Sequence, residues 1–374
     1  CKVCRRTGQL IDDRCPICRA LENMSGSIMN KEKKYFTVVC EPLENSLPLP
    51  QNKYLIADTE ESLLKRMEKD TYIRCYTKND IYTGKHVTTK LWVGDYTTGD
   101  TFEQFAEQAD GIKRIGVLRA DVDNLGTTFV YGFQRKNGDG KYTTLSRTAT
   151  LSRQLSLLFK CYINELLKKE ERKVAIVYSG GDDVFLVGAW NDVIAACVDL
   201  KNALERFTEG TLTISGGIGI YPSKYPVNIM AKEVERLEDH SKAMNGKNAI
   251  TIFDENHGYP WDEFENKVLN EKLSAIKEYF VEEDERGMAF LYHLVELLRN
   301  TEEKINTARY VYLLSRMEPE KDENGKRDKY RKFSKRMYEW SKDECERKQL
   351  ITAIYLYVYL NRERGEKTDE IDRR

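Results

Sequence analysis

The sequence predicts an α+β chain of several domains, and three observations predict it. Two short apolar runs, VAIVY (174–178) and VFLVG (184–188), flank a Ser-Gly-Gly-Asp-Asp turn, the pattern of a hairpin between two buried strands. A further apolar strand, RIGVLRADVDNLG (114–126), runs straight into Asp121 and Asp123. Beyond residue 257 the apolar residues recur at helical spacing only. At 374 residues the chain has room for two or three domains. Its net charge of -1 gives no whole-chain attraction to nucleic acid or to a membrane. No apolar run approaches the ~20 residues that span a bilayer. The chain opens at Cys1 rather than Met, and we read it as a piece of something longer.

Residues 1–30 form the first expected domain. Cys1-x-x-Cys4 and Cys15-x-x-Cys18 are paired knuckles separated by ten residues, which suits Zn²⁺ held tetrahedrally by four thiolates. So short a segment has no core of its own, so the metal would supply its folding energy. A disulfide pair is the other reading of four cysteines. Four sulfur ligands leave no open position, so the zinc is expected to be structural. The five remaining cysteines are scattered, the usage of a reducing, cytoplasmic protein.

Residues 31–110 read as a β-rich connecting region. FTVV, KYLIAD, TYIRCYT and HVTTKLWVGDY have strand composition between Pro, Asn and Gly punctuation, and ESLLKRMEK looks helical. No chemistry is visible there.

Residues 111–256 carry the clearest order. After strand 115–121 come a short helical piece near 125–132, a polar glycine-rich loop at 136–141, and a long helix from about 146 to 169. Leu151, Leu155, Leu158, Tyr162 and Leu166 recur along that helix at spacings of three and four. The acidic hairpin follows, then a helix to Phe207 that Asn191 is placed to cap. A strand at 211–220, a helix at 227–244 and a strand at 249–253 complete the domain. The order β-α-α-β-β-α-β-α-β folds as a ferredoxin-like palm of the GGDEF/polymerase type. In that fold Asp121 stands beside the hairpin on central strands.

Two adjacent carboxylates, Asp182 and Asp183, repel one another, so a merely structural turn has little reason to hold both. With Asp121 from the neighbouring strand they suit Mg²⁺ or Mn²⁺, hard cations that take carboxylate oxygens and clamp substrate phosphates. A solvated acidic turn is the plain alternative. Gly180 and Gly181 let the backbone pass close to something bulky. Lys242 and Lys247, in SKAMNGKN (241–248), are placed to reach β- and γ-phosphates, or else sit solvated on an ordinary helix C-terminus closed by Gly246. Ser215-Gly216-Gly217 interrupts a strand, marking a bulge, a close backbone approach or a ligand face.

Residues 257–374 read as an all-helical domain, with helical periodicity over 264–280, 288–298, 308–317 and 350–360. The charged stretch 318–336 interrupts it, ending basic with Tyr330 and Phe333; it reads as an RNA grip or as a solvated loop. The tail from Arg362 is expected to fray.

The CxxC…CxxC knuckle, RADVDNLG, YSGGDDVFLVG, HSKAMNGKNAITIF and a helical C-terminus, in that order, resemble the large signature subunit of type III-A (Csm-type) CRISPR effector complexes. The resemblance covers essentially the whole chain, as the C-terminal half of that subunit. It implies a second palm domain that joins ATP into cyclic oligoadenylates once the complex has bound target RNA. By motif, Gly180, Gly181, Asp182 and Asp183 are the cyclase signature, with Ser179 beside them and Asp121 a further metal ligand. Asp123 and Asn124 match the segment beside the nucleotide, and Lys242 and Lys247 match phosphate-side positions. The implied partners are the subunit's own N-terminal half, with its first palm and HD nuclease domain, and other Csm-type subunits with guide and target RNA. This chain has four histidines and no His-Asp dipeptide, so DNA cleavage is not assigned to it.

Two other readings stay open. A diguanylate-cyclase-like enzyme has a GG[DE]EF turn close to GGDDVF, but the knuckle and helical C-terminus fit it poorly. A scaffold subunit with a relict palm is the second, and both turn aspartates together with Asp121 argue against it.

Overall fold

The structure is a computed structural model that describes residues 1–30, 32–79, 89–134, 140, 142–280, 286–300, 304–319 and 325–362. All but residue 140 of the expected glycine-rich loop at 136–141 lies outside them. So do 80–88, 320–324 and the tail beyond 362. The chain divides into two compact units, Cys1–Val93 and Gly94–Arg374.

The first unit holds helix α1 (Pro16–Met29), strands β1 (Tyr35–Val39), β2 (Leu47–Leu49) and β3 (Lys53–Asp58), helix α2 (Glu60–Glu68), and strands β4 (Arg74–Lys78) and β5 (Thr89–Leu91). The strands pair in the order β2-β3-β1-β4-β5. Tyr35, Leu63 and Cys75 form a small core under α2. The Thr59 side chain caps α2 by accepting from Ser62 N–H, and Arg66 Nε donates to the buried Asp58 at 3.1 Å.

The second unit opens with α3 (Phe102–Gln108) and β6 (Ile115–Val122). Then come α4 (Leu125–Tyr131), α5 (Leu145–Leu157), a π-helical turn (Leu158–Tyr162) and α6 (Ile163–Lys169). The hairpin strands are β7 (Val174–Ser179) and β8 (Asp183–Ala189), followed by α7 (Trp190–Thr208), β9 (Ile214–Tyr221), α8 (Val227–Ala243), β10 (Ala249–Ile252) and β11 (Gly258–Pro260). The sheet runs β11-β10-β9-β6-β8-β7. Its β9-β6-β8-β7 portion is the ferredoxin-like arrangement the element order predicts, with β6 antiparallel to both neighbours. β10 joins β9 in parallel through the α8 crossover.

Four local expectations need correction. β7 is buried only at Val174 and Ile176; Val177 and Tyr178 are exposed, because β7 is the strand at the sheet's end and bulges between Ile176 and Tyr178. Asn191 does not cap α7. The cap is Ala189, and the Asn191 side chain accepts from Asp110 N–H and donates to the Asp110 carboxylate instead. Ser215-Gly216-Gly217 is not a ligand face: a Cβ on Gly217 would lie 2.6 Å from Glu238 N and from Leu237 Cβ, so its bareness admits α8. Tyr330 and Phe333 do not grip RNA. They are buried, and Phe333 stacks on Tyr279 with ring centroids 4.5 Å apart.

The segment expected to be all helical from residue 257 begins instead with β11, which pairs with β10 at the sheet's edge; beyond it the chain is helical, as its periodicity predicts. A π-helical run (Glu263–Leu273) leads into α9 (Ser274–Phe280), α10 (Arg286–Arg299), α11 (Lys304–Arg316), α12 (Lys326–Lys342) and α13 (Glu344–Asn361). α13 is buried nearly all round, from Gln349 to Val358, which marks it as the central helix. Its Leu350, Ile354 and Val358 belong to the same core as Leu118, Leu186 and Trp190 of the sheet domain. No described helix is long and apolar enough to cross a membrane.

Candidate active site and metal centre

Period-2 alternation along β6 sends Arg119 and Asp121 to one face and Leu118, Ala120 and Val122 into the core. Asp121 is paired in register with Asp183 of β8 on one side and with Ser215 of β9 on the other. Val122 N–H donates to the Asp182 carbonyl at 3.0 Å, so the turn is stitched to the end of β6. Gly180 N–H closes the turn on Asp183 O at 2.8 Å. A Cβ on Gly180 would meet Asp183 Oδ1 at 2.0 Å, whereas one on Gly181 meets only Ser156 Oγ at 3.5 Å. Of the two glycines, Gly180 is the more closely surrounded, by the movable ends of the Asp183 and Tyr178 side chains. Ser179 points away from the turn's mouth, its hydroxyl donating to the Phe159 carbonyl in the π-helical turn.

Asp121, Asp182 and Asp183 are all half-buried. Burial, and then repulsion from Asp121 and Asp183, push the Asp182 carboxyl above its usual range, with Lys242 opposing. The Asp183 charge raises the exposed Tyr178 hydroxyl beside it.

Asp123 has a different place from its neighbour two residues back. It is 3 % exposed, and its Oδ2 accepts from Thr213 Oγ1 at 2.8 Å, Ser215 Oγ at 3.1 Å and Asn248 N–H at 3.0 Å. Those bonds tie β6, β9 and the approach to β10 together. Its Oδ1 is buried with no protein partner. Asn124 adopts a left-handed conformation (φ 54°) at the start of α4, and its Oδ1 accepts from Lys247 Nζ at 2.8 Å.

Lys242 stands at the end of α8, with its ammonium 2.6 Å from Asp121 Oδ2 and 2.6 Å from Glu238 Oε1. Burial pulls Lys242 down, but its bonds to Asp121 and Glu238 outweigh that and hold its pKa up. The helix ends at Ala243, and Gly246, Lys247 and Asn248 turn the chain back with positive φ. The structure thus brings Asp121, Asp182, Asp183 and Lys242 to one end of the sheet, with Asn124 and Lys247 beside them. Glu238 and Arg119 also belong to this network, and sequence reasoning missed both. An i,i+4 Glu-Lys pair on a helix normally reads as a solvated face.

The donor set fits a hard divalent cation: three carboxylates brought to one end of the sheet and no sulfur. The orphaned Asp123 Oδ1 beneath is an acceptor still lacking a partner. Among the described residues the one group of three or more such side chains already drawn together is a different one. The sulfurs of Cys1, Cys4, Cys15 and Cys18 all lie within 4.8 Å of one another, with Cys4 and Cys15 3.6 Å apart. None is in a disulfide. That spacing suits tetrahedral Zn–S bonds of about 2.3 Å. Cys15 occupies the N-cap position of α1, and the Cys18 N–H helps bring its pKa down to about 7.

Comparison with known proteins gives a consistent picture. Residues 114–251 match the family described as Cas10/Cmr2, second palm domain. Residues 277–363 match the second helical domain of the CRISPR RNA silencing complex Cmr2 subunit. The chain is 40 % identical over 378 residues to a Cas10/Csm1 single-strand-specific deoxyribonuclease (subtype III-A) of Mycobacterium tuberculosis, covering 97 % of this chain and 46 % of that protein. It is 38 % identical to the protein of the same description from Enterococcus italicus, covering 97 % and 46 %. The chain therefore spans about half the length of the curated relatives it matches. Among solved structures, a Csm1-Csm4 cassette in complex with one ATP superposes with a TM-score of 0.66 at 22 % identity, covering 92 % of this chain and 50 % of the other. The cassette in complex with cA4 gives 0.65 at 20 %, covering 88 % and 48 %. At such identities the likeness speaks for the fold.

Proposed function

This chain belongs to the Cas10/Csm1 family of subtype III-A CRISPR systems, and from that premise we propose that its acidic hairpin joins ATP into cyclic oligoadenylates in response to target RNA. The observation that carries the reading is the registered pairing of Asp121 with Asp183, next to Asp182, at the mouth of a ferredoxin-like palm. Solved relatives described as complexes with ATP, pppApA and cA4 support it.

In each proposed step the 3′-hydroxyl oxygen of one adenosine bonds to the α-phosphorus of the next nucleotide. The bond to the β-phosphate bridge breaks, pyrophosphate leaves, and the hydroxyl proton passes to water. Asp121, Asp182 and Asp183 would hold Mg²⁺ or Mn²⁺, which when bound polarises the hydroxyl and neutralises the triphosphate. Gly180, having no side chain, leaves room for the Asp183 carboxylate. Lys242 and Lys247 would neutralise the outgoing phosphates, and Asn124 would steady Lys247 and border the nucleotide. Ser179 anchors the hairpin to the helix behind it, Gly181 leaves the turn open to the substrate, and Asp123 braces the strand ends. The four cysteines would hold a structural Zn²⁺.

The partners we propose are the other Csm-type subunits with guide and target RNA, and the remainder of the Cas10/Csm1 protein, all in the cytoplasm. Single-strand deoxyribonuclease activity is the description of the curated relatives. The test is to assemble the complex, supply target RNA, ATP and Mg²⁺, and identify products by mass spectrometry. Cyclic oligoadenylates that vanish with D182N/D183N support the reading. Turnover of GTP but not ATP would point to the diguanylate-cyclase-like reading, and no turnover at all to a scaffold.

A further inference from the structure

Glu238 is the most enclosed carboxylate in this network, with a side chain only 3 % exposed. One oxygen accepts from Arg119 Nε at 2.7 Å and the other from Lys242 Nζ at 2.6 Å. The backbone fixes the pairing. Arg119 and Asp121 leave the same face of β6, while Glu238 and Lys242 stand one turn apart on α8. Gly217, registered opposite Arg119, has no Cβ to hold α8 away. Lys242 also touches Asp121, so one ammonium bridges a buried carboxylate and a carboxylate of the candidate metal site. Moving Lys242 away altogether would leave Glu238 one cation short in a buried position, a costly state. Pivoting Lys242 off Asp121 while it stays on Glu238 avoids that cost.

We infer that Lys242 is the resident counter-ion of Asp121 and that Glu238 is the positioning residue that tethers it. A triphosphate draws the ammonium off Asp121, which frees that carboxylate for the divalent cation. Nucleotide and cation therefore bind with positive coupling through one lysine. The inference rests on the nucleotide-and-metal reading above, and its test does not depend on turnover.

Mn²⁺ binding to the full chain, loaded with zinc and free of nucleotide, is followed by electron paramagnetic resonance. D182N/D183N should abolish the Mn²⁺ signal at this site. K242Q removes the competing ammonium and should tighten Mn²⁺ about tenfold, while weakening a non-hydrolysable ATP analogue by about as much. E238Q leaves Lys242 with Asp121 as its one carboxylate and should weaken Mn²⁺ several-fold. In the K242Q background that effect should disappear, and E238D should restore native behaviour. Mn²⁺ binding that D182N/D183N abolishes but K242Q leaves unchanged overturns the inference alone. An E238Q effect of equal size in both backgrounds also overturns it, showing long-range charge only. Absence of Mn²⁺ binding in every variant overturns the inference and the metal reading together.

Discussion

Asp121 and Asp183 are directly opposed partners on adjacent antiparallel strands, two like charges facing across a ladder. Such a pair destabilises a sheet unless something of opposite sign joins it, and here Lys242 bonds Asp121 and leaves Asp183 without a bond to that ammonium. Asp183→Asn should therefore leave the metal-free melting temperature unchanged or slightly raised. ATP polymerisation by the assembled complex should fall by roughly 10²-fold or more, since metal charge stabilisation is worth several kcal/mol. Differential scanning fluorimetry alongside product analysis checks both halves. A variant that loses stability and keeps activity would make the aspartate a structural residue.

The glycines divide by what their missing Cβ would touch. Gly217→Ala puts a methyl 2.6 Å from the α8 backbone and should destabilise by roughly 1–3 kcal/mol. Gly181→Ala meets nothing nearer than 3.5 Å and should leave stability unchanged. Urea titrations of the two variants should separate cleanly, and equal midpoints would refute the assignment of Gly217 to helix packing.

One zinc per chain is expected by elemental analysis. Cys15→Ser should speed hydrogen exchange in residues 1–29 while the strands β6 to β10 keep their protection. Purified, reduced protein with no bound metal would remove the structural-zinc reading.

His257 gives the fold a pH dependence of known sign. It is 6 % exposed, its Nδ1 is 2.6 Å from Thr352 Oγ1, and burial, with Lys348 and Arg299 nearby, holds its pKa below 6.5 against the opposing pull of Asp254. Because the unfolded chain takes up that proton more readily, the stability it contributes is present above pH 6.5 and lost on acidification through the folded value. Melting temperatures of the native chain and His257→Gln, followed from pH 7.5 to 5, should converge as pH falls.

The chain on its own should bind ATP with Mg²⁺ yet form little cyclic product. Joining nucleotides requires a donor held in line with an acceptor hydroxyl. The described residues contain one acidic strand-and-hairpin set, so a second palm or a second copy must hold the acceptor. Robust synthesis independent of protein dilution would place both nucleotides within these residues.

The palm was legible because its elements differ sharply in pattern: short apolar strands, with β6 running into Asp121 and β8 starting at Asp183, alternate with helices such as α5, marked by Leu151 and Leu155. What stayed hidden depends on neighbours in space. Gly217 looked like a ligand face because the sequence does not show that α8 crosses it. Tyr330 and Phe333 looked like a basic-aromatic grip because their partners, Tyr279 and Phe280, lie about fifty residues earlier. Val177 and Tyr178 looked like core because composition does not tell an edge strand from a central one. Glu238 resembled any solvated helix carboxylate.

The bond from Asn248 N–H to Asp123 Oδ2 has a consequence in time as well as space. It joins residues 125 positions apart and seats the strand carrying Asp121 against the turn carrying Lys247. A contact of that span forms only after a large loop has closed, so it belongs to the late part of folding. On a ribosome that emits the chain from its N-terminus, the acidic hairpin emerges and pairs well before residue 248 is made. Until then its carboxylates have neither Lys242 nor Lys247 beside them. Synthesis interrupted anywhere in the intervening stretch would leave a hairpin without its cationic side.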